Sequence, residues 1–399
     1  MRTLDEKLNL LRRRIAGRKI RIMILGLGSV GAYLLDYLLS MADDGVEVCV
    51  AGRNEEKMVS DVNIVRVASL IRGQNRTDVK VRAGVDFNDV SALAGCIRDY
   101  EPDIIVNSSR AYSGLKYGSI SWKNVRAYGI WAPLAIRYVK NIMAAYEQAG
   151  SNAIVINTSY SDAVIPWMKS AGMLYPDFGS GNLNHLIPRL KFAVAKEYGI
   201  TDYWNIDVTY ATSHFHDVVI SKEGQAEQVE QLIDIRYDGR QLTPDMEKIF
   251  AACKIPMPVD AKRNMMNASS NFEIICGILS AVRDKKRIKL HCPGVFGEIG
   301  GYPVVLDGTG DAVRAFIDET HFDLELMRKK NRQSIYLDGI ASVENGMLIY
   351  TDELIEKCGK AFGVSLMKHV EFDEIEAAAQ FLIAEIIERD GGKQAGVNG

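Results

Sequence analysis

IRIMILGLGSVGAYLLDYLLSMADDGVEVCVAGRN, residues 20–54, reads as a strand, a glycine turn, a helix and a second strand. The unbroken apolar run IRIMIL suits a strand buried on both faces, and residues 30–41 have helical spacing before VEVCVA supplies the next strand. Between them stands Gly26-Leu27-Gly28-Ser29-Val30-Gly31. In such a turn the first glycine permits the tight bend. The second lets a pyrophosphate approach the backbone, and the third lets helix and strand pack closely. The helix amino terminus adds free N–H groups and a partial positive charge. These six residues are therefore predicted to hold a dinucleotide, with Ser108 after a later strand beside them. At the end of the second strand, where a carboxylate would hold the ribose 2′-hydroxyl of NAD, the chain has Arg53 and Asn54. A guanidinium suits a 2′-phosphate, so NADP is favoured, with NAD as the alternative.

Working outward, strands are expected at 79–85, 103–107 and 153–159, alternating with helices at 90–100 and 131–148. That alternation predicts an α/β fold: a Rossmann parallel sheet over residues 18–160 with right-handed crossovers. Leu4, Leu8, Leu11 and Ile15 mark an amphipathic helix within 1–17, packed on its own domain or on a neighbouring subunit. After residue 160 the pattern changes. Residues 205–216 and 232–237 read as strands, 186–198, 263–283 and 372–389 as helices, and Asp307-Gly308 as a hairpin turn. A mixed α+β substrate domain is expected over 161–390, with a frayed tail at 391–399.

Composition narrows the function classes. Of 399 residues 47% are hydrophobic and 25% charged, as in packed globular proteins. The net charge of −3 gives no reason to expect nucleic acid as a partner. Six cysteines without a CxxC pair fit a reducing compartment, and no apolar run reaches the ~18 residues of a membrane span. The first residues lack the apolar core of a secretory signal, and Asp5 and Glu6 do not suit a mitochondrial presequence, so a cytoplasmic protein is expected.

Several stretches in order resemble the lactate and malate dehydrogenase superfamily of NAD(P)-dependent oxidoreductases. DIIVN (103–107) and the loop after it resemble that family's fourth strand and substrate loop, where Arg110 and Lys116 are candidates for a substrate-polarising cation. AIVINTSYSD (153–162) resembles its fifth strand, making Asn157 the asparagine that meets substrate and cofactor. The segment around Arg189 resembles the one carrying a carboxylate-clamping arginine. Ser213-His214-Phe215-His216-Asp217 falls where the family has its proton-transferring histidine. The resemblance implies hydride transfer between a nicotinamide and a small 2-oxo or 2-hydroxy acid or related carbonyl, in a homo-oligomer. Histidine suits proton transfer at neutral pH, and arginine binds a carboxylate through two parallel bonds. His214 is preferred to His216 because its separation from Arg189 is nearer the family's, and His185 is a further substrate candidate.

The chain also departs from that pattern. The family's orienting aspartate would stand at Leu186, and no carboxylate lies beside it. Two alternatives therefore stay open. One is a saccharopine- or opine-type C–N dehydrogenase, suggested by GRNEEK and the segment ending DIIVNSS. The other is a Rossmann protein that senses NADP(H) without catalysis. A metal site at His185, His214 and His216, as in family 4 glycoside hydrolases, lacks its cysteine, and no metal is assigned.

Overall fold

The run at residues 20–25 becomes the central strand of a six-stranded parallel sheet. The structure, a computed structural model, describes residues 2–74, 76–112 and 114–389, with side chains except at 114–116 and 119. The expected tail at 391–399 and the side chain of Lys116 lie outside what is described. The first half runs α1 (Leu4–Arg14), β1 (Ile20–Leu25), α2 (Ser29–Ser40), β2 (Val46–Ala51), α3 (Glu55–Ile71), β3 (Asp78–Arg82) and α4 (Val90–Tyr100). It continues through β4 (Ile104–Asn107), α5 (Gly114–Asn124), α6 (Ala132–Gln148), β5 (Ile154–Asn157), α7 (Ser161–Ser170) and β6 (Phe178–Gly179).

The sheet order is β3-β2-β1-β4-β5-β6, so the winding direction reverses between β1 and β4. Leu25 pairs with Ala51 and with Asn107, and Asn107 pairs with Asn157. The strands therefore end level with one another, and the reversal opens a crevice beyond their carboxyl ends, where such sheets bind ligands.

The second half supplies α8 (Ile187–Tyr198), β7 (Asp207–Ala211), α9 (His214–Glu223), β8 (Leu232–Tyr237), β9 (Arg240–Leu242), α10 (Met246–Ala252) and α11 (Asn264–Arg283). After these come β10 (Arg287–Pro293), β11 (Gly301–Asp307), β12 (Arg314–Ile317) and α12 (Leu324–Leu337). The chain then closes with β13 (Ile340–Glu344), β14 (Met347–Tyr350), α13 (Asp352–Phe362), β15 (His369–Glu371) and α14 (Ile375–Leu382). These strands form three antiparallel sheets of three strands each. The link from β11 to β12 is a loop over 308–313, not the two-residue hairpin expected at Asp307-Gly308.

One expectation fails where it matters most. Residues 205–216 are not one strand. β7 ends at Ala211, Ser213 is extended, and His214 opens α9 with Asp217 in its first turn. A serine before a run with an early acid is a helix-start signal, and it overrides the apparent alternation.

Two large apolar clusters each draw on both sides of residue 160. One joins Met23 and Leu25 to Ile335, Tyr350 and Leu382, and the other joins Leu8 and Ile22 to Ile278, Leu290 and Val304. The α1 helix packs within its own chain: Leu8 is fully buried, and Arg12 donates to the carbonyls of Ala281 and Gly308.

Candidate active site and dinucleotide cradle

A cavity of about 590 Å³ lies over the glycine turn, walled by residues 26–30 with Arg53, Asn54, Lys57, Ser108, Arg110 and Asn264 among others. Gly26 has φ of +91°, and a Cβ there would stand 2.9 Å from that of Ser109. Gly31 sits behind the turn rather than on the wall, and a Cβ on it would meet the Gly26 carbonyl at 2.3 Å. At Gly28 a Cβ would meet nothing within 4 Å. No side chain caps α2 at this residue, and Ser29 and Val30, which open the helix, line the cavity. Ser108 Oγ props the turn by donating to the Gly26 carbonyl at 2.6 Å, and Asn264 Nδ2 donates to Ser29 Oγ at 2.6 Å. The open backbone at Gly28 and the uncapped helix fit a bound diphosphate. Among the described residues the wall carries Arg53, Lys57 and Arg110 and no carboxylate.

Arg110 and Asn267 also line two further cavities, of about 130 and 470 Å³, and His214 lies on the wall of both. The imidazole is 10% exposed and stands edge-on to Tyr128 and Tyr160, with ring centroids 4.9 and 5.1 Å away. Its Nδ1 is 2.7 Å from Asp338 Oδ2, whereas Nε2 has no partner among the described residues. Asp338 is fully buried at the end of α12 and accepts two more bonds: the Tyr160 hydroxyl on Oδ2 and the Tyr128 amide on Oδ1, both at 2.7 Å. The position is locked from a second side. His214 N–H, at the start of α9 where the helix itself offers no acceptor, donates to Asp162 Oδ1 at 2.9 Å, and Asn182 Nδ2 donates to Asp162 Oδ2 at 3.2 Å.

Burial opposes the charged imidazole. The charge and hydrogen bond of Asp338, aided by Asp162 and Asp217, outweigh it and hold the His214 pKa above its usual value. Desolvation pushes Asp217 up to about 6 against the pull of His214 and Arg189, and its Oδ1 has no hydrogen-bond partner. Asp162 is likewise raised by burial.

Arg189 shares the larger cavity with His214. It is 3% exposed, donates Nη1 to the Cys253 carbonyl at 2.9 Å, and leaves Nε unpartnered. His185 is on the same wall. Burial first, then Arg189 and Arg263, push its pKa down to about 3, so it stands neutral. Besides Gly31, two of the expected residues are not brought to these walls. His216 is fully buried, with Nδ1 2.7 Å from Ser334 Oγ and Nε2 2.9 Å from the Glu227 carbonyl, and so ties α9 to α12. Asn157 is also fully buried, its amide donating to the Ser159 carbonyl and Ser161 Oγ while its oxygen accepts from Asn107.

The sequence reading missed Asp338, Tyr160, Asp162, Lys222 and Arg263. Asp338 lies 124 residues from the histidine it holds, so no local spacing marks it. Tyr160 and Asp162 lie inside AIVINTSYSD, and an acid in the first turn after the fifth strand was the available signal.

This architecture and crevice define a Rossmann-type α/β protein with the lactate/malate dehydrogenase-like fold. No protein-family model matches the sequence, and no curated protein matches it. Among solved structures, the malate dehydrogenase of Cryptosporidium parvum is similar with a TM-score of 0.52 and 12% identity, over 80% of this chain and 98% of that one. The lactate dehydrogenase of the same organism, complexed with lactic acid and nicotinamide adenine dinucleotide, is similar with a TM-score of 0.51 and 13% identity. That match covers 80% of this chain and 96% of the other. Likeness at such identity concerns the fold alone.

Proposed function

We propose that the protein is an NAD(P)-dependent oxidoreductase acting on a 2-oxo or 2-hydroxy acid or a related carbonyl compound. The observation that carries this reading is His214: its Nδ1 is fixed on buried Asp338, and its ring walls cavities that share Arg110 and Asn267 with the glycine cradle. The nicotinamide would exchange a hydride with the substrate carbon. His214 Nε2 donates a proton to the carbonyl oxygen in one direction and removes it from the hydroxyl in the other. Asp338 keeps the other proton on Nδ1 and stabilises the cation. Arg189 and Arg110 bind the carboxylate, and Tyr128 and Tyr160 exclude water around the imidazole.

The cradle's Arg53, with no carboxylate on the wall to oppose it, favours NADP, although Lys57 is already paired with Asp61, whereas the lactate dehydrogenase neighbour is bound to NAD. Fluorescence titration with NADPH and NADH decides between them. Tighter NADPH binding that Arg53→Ala abolishes is the expected result, and an NADH preference removes the role given to Arg53. The homo-oligomer implied by the resemblance has a surface available, because Ile64, Val67, Leu70 and Ile71 of α3 are all more than half exposed.

A second reading, C–N bond formation, is favoured by the unpartnered Oδ1 of Asp217, an acceptor for an ammonium in the same cavity. The test is a screen of 2-oxo acids, with and without amines, following loss of reduced-nicotinamide absorbance. Turnover without amine, lost in His214→Gln while dinucleotide binding persists, supports the first reading, and strict amine dependence supports the second. Dinucleotide binding without any turnover points to a sensor.

A further inference from the structure

The larger cavity beside His214 is walled by four cations, Arg110, Arg189, Lys222 and Arg263, against a single carboxylate, Asp217. A three-carbon acid would leave most of it to water, since about 470 Å³ is roughly fifteen times the share of one liquid water. The cations on the side remote from the cradle have no acid of their own. Lys222 Nζ donates to the Tyr128 hydroxyl at 2.9 Å and lies 5.0 Å from the Trp122 ring centroid, with no ion pair among the described residues. Its neighbour Glu223 is spent on Arg126 and on Trp122 Nε1, and Arg126 takes Glu227 as well. The Arg263 side chain forms no hydrogen bond or ion pair among the described residues, although it is part-buried at the start of α11. Burial, and then the charge of Arg263, push Lys222 down to about 8, as expected of a cation awaiting an anion. Asp217 adds a second request. It is 4% exposed, lines the same cavity, and leaves its Oδ1 without a hydrogen-bond partner.

Resting on the proposed oxidoreductase reading, we infer that the substrate carries a second, distal anionic group held by Lys222 and Arg263. This group is a carboxylate or a phosphate monoester, and a hydroxyl or amino group of the same molecule meets Asp217. A monocarboxylate satisfies Arg189 and leaves the Lys222–Arg263 side unpaired. A dianion satisfies both, with charge-assisted bonds in a cavity of low dielectric.

Isothermal calorimetry on the full chain, with saturating oxidised or reduced dinucleotide as appropriate, tests this with three probes. Pyruvate is the monoanion, 2-oxoglutarate the dicarboxylate, and 3-phosphoglycerate the hydroxy acid with a phosphate ester. At least one of the two larger acids should bind about tenfold more tightly than pyruvate, with the preference shrinking as salt is added. Lys222→Met and Arg263→Met should each remove most of that preference without altering pyruvate binding, and Lys222→Arg should retain it. Whichever acid wins identifies the distal group. Equal binding of all three, or equal weakening of all three in the variants, overturns the inference. The two proposals fail separately. Selective dianion binding without turnover sinks the oxidoreductase reading and keeps the distal site, whereas turnover indifferent to the second anion does the reverse.

Discussion

Asp338 orients His214 through a carboxylate that accepts three hydrogen bonds from three different segments of the chain. On the proposed reading it is a positioning residue, because it would reach any substrate only through the imidazole. The raised His214 pKa sets the sign of the pH effects. The His214–Asp338 pair stabilises the fold fully below the imidazole's ordinary value and loses that contribution as pH rises through the folded value. Carbonyl reduction, which needs the proton, should fall over the same upper range. Asp338→Asn should lower turnover roughly ten- to hundred-fold and move the inflection of the pH–rate profile to lower pH. An unmoved inflection would mean that Asp338 only supports the fold. Asp217 is the opposite case. With its pKa raised to about 6, ionisation costs the folded state stability that is intact below the ordinary carboxylate value and lost above the raised one. Asp217→Asn should therefore raise stability above pH 7 by about 2 kcal/mol in urea unfolding and change little at pH 4. The same substitution should weaken substrate binding, a trade between stability and function. At this scale the sequence pointed to candidates defined by local text, such as the glycine turn, Arg189 and His214, and the structure places them on cavity walls. It did not disclose Asp338 or Arg263, whose roles exist only after distant elements have packed.

The elements were legible where burial followed a simple period. IRIMIL and VEVCVA became β1 and β2 with the expected bounds, because strands buried on both faces read as unbroken apolar runs. Two helices near the site escaped for physical reasons. α7 is buried on all sides, eight of its ten residues being inaccessible, and it contains Pro166, so it shows no amphipathic stripe. α3 buries only Met58, Val62 and Ser69 and exposes apolar side chains, which blurs its period. The turn between β1 and α2 separates folding from binding in a measurable way. Gly28→Ala should leave the melting temperature nearly unchanged, because a methyl group there meets nothing, yet weaken dinucleotide binding by about tenfold or more by crowding the diphosphate. Gly31→Val drives a side chain into the Gly26 carbonyl and should reduce stability and binding together. If both variants lose binding and stability in parallel, the cradle is structural rather than a ligand seat.

Taken as a whole, the molecule joins regions that composition and periodicity presented as separate. The first helix shows how. Lys7 is 1% exposed, and its Nζ donates to both oxygens of Asp177, at 2.9 and 2.8 Å, just before the edge strand β6. Asp177 Oδ2 also accepts from the Val155 amide at 2.8 Å, so the pair clamps α1 against β5 and β6 from beneath the sheet edge. The amphipathic repeat of Leu4, Leu8 and Leu11 foretold that the helix would be buried. It gave no hint that a lysine on the same face would be buried with them, because a charge enters a core only when a partner arrives from elsewhere. Breaking such a pair by removing one partner costs more than the pair contributes, since it strands the other charge. Lys7→Met should accordingly destabilise the protein by about 3 kcal/mol in urea unfolding. Lys7→Met combined with Asp177→Asn should recover much of the loss, because the asparagine oxygen still accepts from Val155 without bringing a charge. A double variant as unstable as the single one would show that the ionic pair itself, rather than the relief of a stranded carboxylate, holds the first helix to the sheet.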